Sequence, residues 1–179
     1  MNFSIQPVLE NDQIILLPLE EADFDALYAV AADPKVWEQH PNKERWRKEV
    51  FQNYFEGAIE SKGAFKIIDK ATGEMAGSTR YYDYSEAERS ILIGYTFYAT
   101  RYWGKGINPS VKQLMLSYIF QYVDRVIFHI GAQNIRSQIA IGRIGALKIG
   151  EQDVAYYGEA SKINFVYAID RAAWLAGAK

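Results

Sequence analysis

Arg101-Tyr102-Trp103-Gly104-Lys105-Gly106, followed by Ile107-Asn108-Pro109-Ser110-Val111, decides how the chain is read. Before it, Ile91 to Tyr98 is apolar at nearly every position, as in a central strand covered on both faces. After it, Val111, Leu114, Met115, Tyr118, Ile119 and Tyr122 recur at helical spacing. Asn108 is a good cap for that helix, and Pro109 would take its first position, where a missing N–H costs nothing. A strand, a glycine-rich turn and a capped helix make an anion site. The first amides of a helix lack partners and carry the positive end of its dipole. Gly104 and Gly106 let the backbone approach a phosphate, and Arg101 and Lys105 add charge. A G-x-G pair ahead of a helix is more often an ordinary turn, so the stretch by itself leaves both readings open. It is not the phosphate loop of nucleotide hydrolases, because G-x-x-x-x-G-K-[ST] is absent. Nor is it the dinucleotide fingerprint, because the third glycine's position holds Pro109.

Working outward, Ile14 to Leu19 reads as a strand ending at Pro18, and Phe24, Leu27, Tyr28 and Ala31 as a helix that stops before Asp33-Pro34. A second helix is expected from Glu44 to Ile59, with Trp46, Val50, Tyr54 and Ala58 on one stripe. Gly63–Asp69 and Met75–Tyr82 read as a hairpin across Thr72-Gly73. Val126–Ile130 is a strand. Asn134 caps another helix, which Gly145 ends. Leu147–Ala155 and Ile163–Ile169 make a last strand pair, followed by a short helix from Arg171 to Leu175. The order β-α-α-β-β-β-α-β-α-β-β predicts one α/β domain over residues 1–179, with a mixed sheet.

The 179 residues fit a single core, and the absence of cysteine excludes disulfides, thiolate metal sites and a cysteine nucleophile. Acidic residues number 22 and basic residues 20, without long runs, so no nucleic-acid groove or basic membrane patch is expected. Met1 to Pro7 lacks the start of a signal peptide, and no window is long and apolar enough for a membrane span, so a soluble cytoplasmic protein is the expectation. Aromatic residues make up 15%, and the 13 tyrosines among them suit the wall of a half-wet cleft.

Arg101-x-x-Gly104-x-Gly106 resembles the [QR]-x-x-G-x-[GA] signature of the GNAT superfamily of N-acetyltransferases. Asn134, Ser137 and Gly145 are similar to that family's later Asn-x-x-Ser helix start and closing glycine. Leu16-Leu17-Pro18-Leu19, Ile93-Gly94-Tyr95 and Tyr102-Trp103-Gly104-Lys105-Gly106 resemble the RimJ/RimL branch, and the likeness runs in order from about residue 14 to 170. It implies a GNAT fold: a mixed, mostly antiparallel sheet of six to seven strands, splayed at its centre and flanked by helices. It implies acetyl-CoA as cosubstrate, no metal, and an amine acceptor that is a small molecule or a protein N-terminus. The pantetheine arm would pair with Phe97, Tyr98 and Ala99, and the pyrophosphate would lie on the amides from Tyr102 through Trp103, Gly104, Lys105, Gly106 and Ile107 to Asn108. Asn134 would bond the pantetheine chain, Ser137 would serve the thioester sulfur as the catalytic residue, and Arg143 is a further candidate for a phosphate. Trp37, His40, Trp46 and Tyr54, with Tyr81 and Tyr82, would form the acceptor wall.

Two positions depart from the family pattern. The branch's G-Y-A-T-E-A continuation is replaced by Gly106-Ile107-Asn108-Pro109-Ser110-Val111, and the Glu common two residues before the central glycine is Leu92. No base can therefore be carried over. Glu151, Asp153, Glu159, Asp83 and Glu86 are candidates, each more readily read as a solvated turn acid, and His129 reads as a core histidine. An acyl-CoA sensor without turnover stays open beside the enzyme. Relatives are often homodimers, and no heptad or long apolar stripe decides that point.

Overall fold

The computed structural model describes residues 3–156 and 159–177. Its strands are β1 (Leu9–Glu10), β2 (Ile14–Pro18), β3 (Ala64–Asp69), β4 (Met75–Ser85), β5 (Ser90–Tyr98), β6 (Arg125–Gly131), β7 (Leu147–Val154) and β8 (Lys162–Asp170). Its α-helices are α1 (Phe24–Ala31), α2 (Lys48–Glu60), α3 (Ile107–Ile119), α4 (Ile135–Arg143) and α5 (Arg171–Gly177). The strands form one sheet of eight in the order β1-β2-β3-β4-β5-β6-β8-β7. Only β5 and β6 are parallel. The expected count of six to seven falls short because of β1, whose two residues lie opposite Leu16 and Ile15 and are too few to show a period.

Two helix starts differ from expectation. α2 begins at Lys48 rather than Glu44, because residues 42–47 are held in turns: the Glu44 amide donates to Asn42 Oδ1 at 2.9 Å, and Arg47 is extended (φ −76°, ψ 135°). Its buried stripe is Phe51, Tyr54, Phe55 and Ala58, without Trp46. α3 is capped by Gly106, not Asn108. Its first turn closes with the Ser110 amide on Gly106 O at 3.2 Å, so Pro109 falls within the first turn, where its missing N–H is still harmless. The Asn108 side chain instead accepts from the Tyr98 hydroxyl at 2.9 Å.

The sheet is covered on both faces, as the alternation of β4 shows. Tyr81 points to one layer and donates its hydroxyl to Met115 O of α3 at 2.6 Å. Its neighbour Arg80 points to the other, donating to Gly57 O of α2 at 3.0 Å. The core is continuous across the sheet from Leu27, Phe51 and Phe55 to Val111, Met115 and Ile119.

One irregularity positions the site. Arg80 pairs with Gly94 and Ser78 with Phe97, so β5 carries one residue more than β4 over that interval. That is a bulge, and Tyr95 sits in it at φ +52°. Ile93 pairs with Tyr81 on the α3 face, yet beyond the bulge Thr96 reaches the same face and meets Thr79 Oγ1 at 2.8 Å. The bulge also ends the parallel ladder. Ser90, Ile91 and Leu92 pair with Arg125, Val126 and Ile127, and beyond them β5 and β6 separate.

Candidate active site

A cavity of about 760 Å³ fills the split between β5 and β6. It runs from the glycine turn, past Ile93–Tyr98 and Phe128–Gly131, to the loop that joins α1 and α2. One end is made of main chain. Gly104 and Gly106 hold φ of +73° and +79°, a region that costs other residues energy, and a Cβ at either would touch nothing. Their glycine identity serves the turn itself, which directs the amides at the start of α3 outward. The Ala99 amide donates to Ala76 O at 2.9 Å, towards β4. Alternation along a strand then turns the Tyr98 amide to the split.

α4 closes this end from the far side. The Ser137 amide donates to Asn134 Oδ1 at 3.1 Å, the cap expected from sequence. Gly145, at φ +92°, lies just past the helix end. Asn134, Ser137 and Arg143 all line the cavity, and the Ser137 hydroxyl has no hydrogen bond among the described residues. Arg136, which the sequence reading passed over, lies 3.8 Å above the Trp103 ring and so ties α4 to the glycine turn.

The other end is made of side chains from distant loops. Gly131 lets Pro41 sit directly on β6, since a Cβ there would collide with the proline ring. That contact brings Trp37 and His40 to the cavity. Behind them lies Arg45, with its side chain 1% exposed. It pairs with Glu159 at 2.5 Å and lies among the rings of Trp37, Tyr54, Tyr95 and Tyr156. Tyr156 donates to the fully buried Asn164 at 2.9 Å, anchoring the loop that supplies Glu159.

The electrostatics of this end follow from Arg45. Its Nη1 lies 3.2 Å from His40 Nε2, and a guanidinium can only donate. His40 Nε2 therefore faces a donor, while Nδ1 meets both the Asn42 amide, which donates to it at 3.1 Å, and Asn42 O at 3.3 Å. Burial, with Arg45 beside it, holds the imidazole well below its usual range, so His40 is neutral. Its lone pair is engaged and is not free to take a proton from an amine. Burial raises Tyr98 and Tyr156, which stay protonated. Among the described residues, no Asp or Glu lines the cavity.

Of the residues singled out from sequence, the cavity gathers Trp37, His40, Phe97, Tyr98, Tyr102, Trp103, Gly104, Gly106, Ile107, Asn108, Asn134, Ser137 and Arg143. Ala99, Arg101, Lys105, Trp46, Tyr54, Tyr81 and Tyr82 are not among its lining residues. Arg101 instead pairs with Glu74 at 3.1 Å. Tyr81 is a core residue, and Tyr82 packs over Gly94. Tyr54 gives its hydroxyl to Tyr95 O at 2.7 Å and supports the bulge from behind. The carboxylates Asp83, Glu86, Glu151 and Asp153 are exposed, and Glu159 is held by Arg45. His129 lines the cavity rather than the core. Lys112, on the buried face of α3, was also unforeseen. The spacing of Lys112, Leu116 and Ile119 marks that face in the sequence.

Comparison with known proteins agrees with this geometry. The family model described as "Acetyltransferase (GNAT) domain" matches residues 13–147. A GCN5-related N-acetyltransferase from Brucella melitensis superposes with a TM-score of 0.81 at 19% identity, covering 98% of this chain and 86% of that one. The ribosomal-protein-S5-alanine acetyltransferase from Vibrio fischeri gives 0.69 at 16% identity, covering 94% and 99%. The spermidine N-acetyltransferase from Vibrio cholerae, solved in complex with CoA and spermine, gives 0.69 at 16%, covering 92% and 99%.

Proposed function

Because the chain belongs to the GNAT acetyltransferase family, we propose that it moves the acetyl group of acetyl-CoA to a primary amine by direct attack on the thioester. The observation that carries this reading is the junction of two features. A β5–β6 ladder that ends after three residue pairs opens beside a helix start whose glycine turn aims its amides into the gap. Such a gap accepts an extended amide-bearing chain along the free strand edge, and a diphosphate at the helix end.

In this reading the pyrophosphate lies on the amides of Gly104, Gly106, Ile107 and Asn108, because those of Tyr102, Trp103 and Lys105, also expected to hold it, donate to Ala99 O, Thr100 O and Tyr102 O, and Arg136 and Arg143 meet phosphate charge. Asn134 uses Oδ1 for its cap and offers Nδ2 to the pantetheine. The Tyr98 amide, not that of Ala99, meets the thioester carbonyl as negative charge builds on its oxygen. Ser137 directs its hydroxyl to the sulfur. Trp37, His40, Tyr95 and Tyr156 shape the acceptor's place. No carboxylate among the described residues lines that place, so it suits an acceptor with one amine, such as a protein N-terminus or a small arylalkylamine, better than a polyamine. The likeness to a ribosomal-protein acetyltransferase lends the RimJ/RimL branch support at the level of fold.

One observation favours a second reading, an acyl-CoA sensor without turnover: among the described residues no carboxylate base lines the cavity. Calorimetry with acetyl-CoA followed by a thiol-release assay over a panel of amines separates the two. Binding with turnover supports the enzyme, and binding without turnover on any amine supports the sensor. No binding removes both.

A further inference from the structure

Lys112 is an amine placed where nothing among the described residues offers it a countercharge. It is 3% exposed, lines the cavity, and forms no ion pair. Its Nζ donates to Thr96 Oγ1 at 2.9 Å and lies 3.4 Å from Thr79 Oγ1. Thr96 Oγ1 in turn lies 3.3 Å from Gly94 O, so the amine is held at the bulge. That is deeper in the split than the helix start, where a diphosphate would lie. A buried charge without a partner is costly, and a protein keeps one where negative charge arrives.

Resting on the acetyl-transfer reading above, we propose that Lys112 is a catalytic residue that supplies the proton to the leaving sulfur of CoA. The acceptor nitrogen attacks the thioester carbonyl carbon. The C–S bond breaks and its electron pair goes to sulfur. The Lys112 ammonium gives its proton to that sulfur, and the proton shed by the acceptor nitrogen returns to Lys112 through solvent. No atom or charge is left over. A serine hydroxyl at the same sulfur orients it but cannot release a proton at neutral pH, so Ser137 and Lys112 have separate tasks.

The groups packed around Lys112 leave its charge as the one that changes. β4 presents Thr79, β5 presents Thr96, and α3 itself presents Met115. The nearest phenols from those strands, Tyr81 and Tyr98, are raised by burial and remain neutral. Burial lowers Lys112 itself to about 7, so the amine exchanges protons in the working range.

The chain has no cysteine, so the thiol released in turnover is CoA's own. Its release is followed against pH with whichever amine of the panel accepts the acetyl group. In the wild type kcat should fall as pH rises above about 7, where the Lys112 ammonium is lost. In Lys112→Met kcat should be at least about tenfold lower and this falling limb absent. A wild type without that limb, or the same limb kept in Lys112→Met, overturns the proposal. If Lys112→Met does not fold or bind CoA, Lys112→Arg decides. Its fixed charge should keep CoA bound while kcat falls at least about tenfold, because guanidinium does not release protons. An unchanged kcat in Lys112→Arg overturns the assignment. Failure of the wild type to bind CoA removes the acetyl-transfer reading itself, a result distinct from any of these.

Discussion

The two ends of the cavity are built by opposite means. The end we assign to the donor is made of main chain: two left-handed glycines, the first amides of α3 and a strand edge freed by a bulge. The end we assign to the acceptor is made of side chains that meet from positions more than a hundred residues apart, with Arg45 on Glu159 as its centre. A main-chain site tolerates change in most of its side chains and depends on a few backbone conformations. A side-chain site depends on each long-range pair. The donor end should therefore fail through conformation and the acceptor end through charge.

Breaking the Arg45 pair tests this most severely. Arg45→Ala leaves the Glu159 carboxylate, 9% exposed, without its partner, and removal of one member of a buried pair costs about 3–5 kcal/mol. Denaturant unfolding should show that loss. CoA affinity, measured below the transition, should stay near the wild-type value. A matching loss of CoA affinity would mean the two ends are not separate. Gly104→Asp is the converse. Strain at φ +73° together with a carboxylate facing the pyrophosphate should weaken CoA binding about 100-fold by calorimetry, or roughly 2.7 kcal/mol. Global stability should fall far less. Retained affinity would show that the turn does not hold the donor.

A smaller effect is expected where a side chain enters the donor end. Ser137→Ala should lower kcat about tenfold, the worth of one hydrogen bond to developing charge, with CoA affinity little changed. Unchanged kcat would reduce Ser137 to a helix-start residue. The smallest effect concerns His40. Its imidazole is held below the unfolded value, so the unfolded chain binds more protons as pH falls through about 6.5. Stability contributed by neutral His40 is thus present above that pH and lost below it, by at most about 1.4 kcal/mol per pH unit. His40→Gln should flatten this part of the acid limb in unfolding measured between pH 5 and 7.

The same contrast explains what could be read from sequence. Gly104, Gly106 and the Asn134 cap announce themselves because a backbone conformation requires a particular residue type at a fixed spacing. The strand and helix order followed from periodicity for the same reason. The cap of α3 was misplaced by two residues because Asn108 and Pro109 suit either position, and only the turn preceding them selects Gly106. The pairing of Arg45 with Glu159 gives no signal, and Glu159 reads instead as a candidate base, since a salt bridge between distant loops leaves no local pattern. Sequence assigns Tyr81 and Tyr82 to the acceptor wall because aromatic content does not say which way a strand residue points. The register across β3, β4 and β5 does, and it turns Tyr81 into the core. Lys112 lay on an apolar stripe where a charge looks like surface until the neighbouring strand is in place.

The β5–β6 ladder holds three residue pairs among the described residues. Along the main chain the β6-β8-β7 leaf is thereby bound to the rest of the sheet by a short spine at one end, as a page is bound in a book, while its other end is held through side chains such as Pro41 on Gly131. A chain molecule bonded to both edges of the gap acts as a rivet at the loose end. Occupation of the split should then slow amide exchange in β6 and in β5 together, so that the protein is stiffest when it is loaded and loosens as the spent donor leaves.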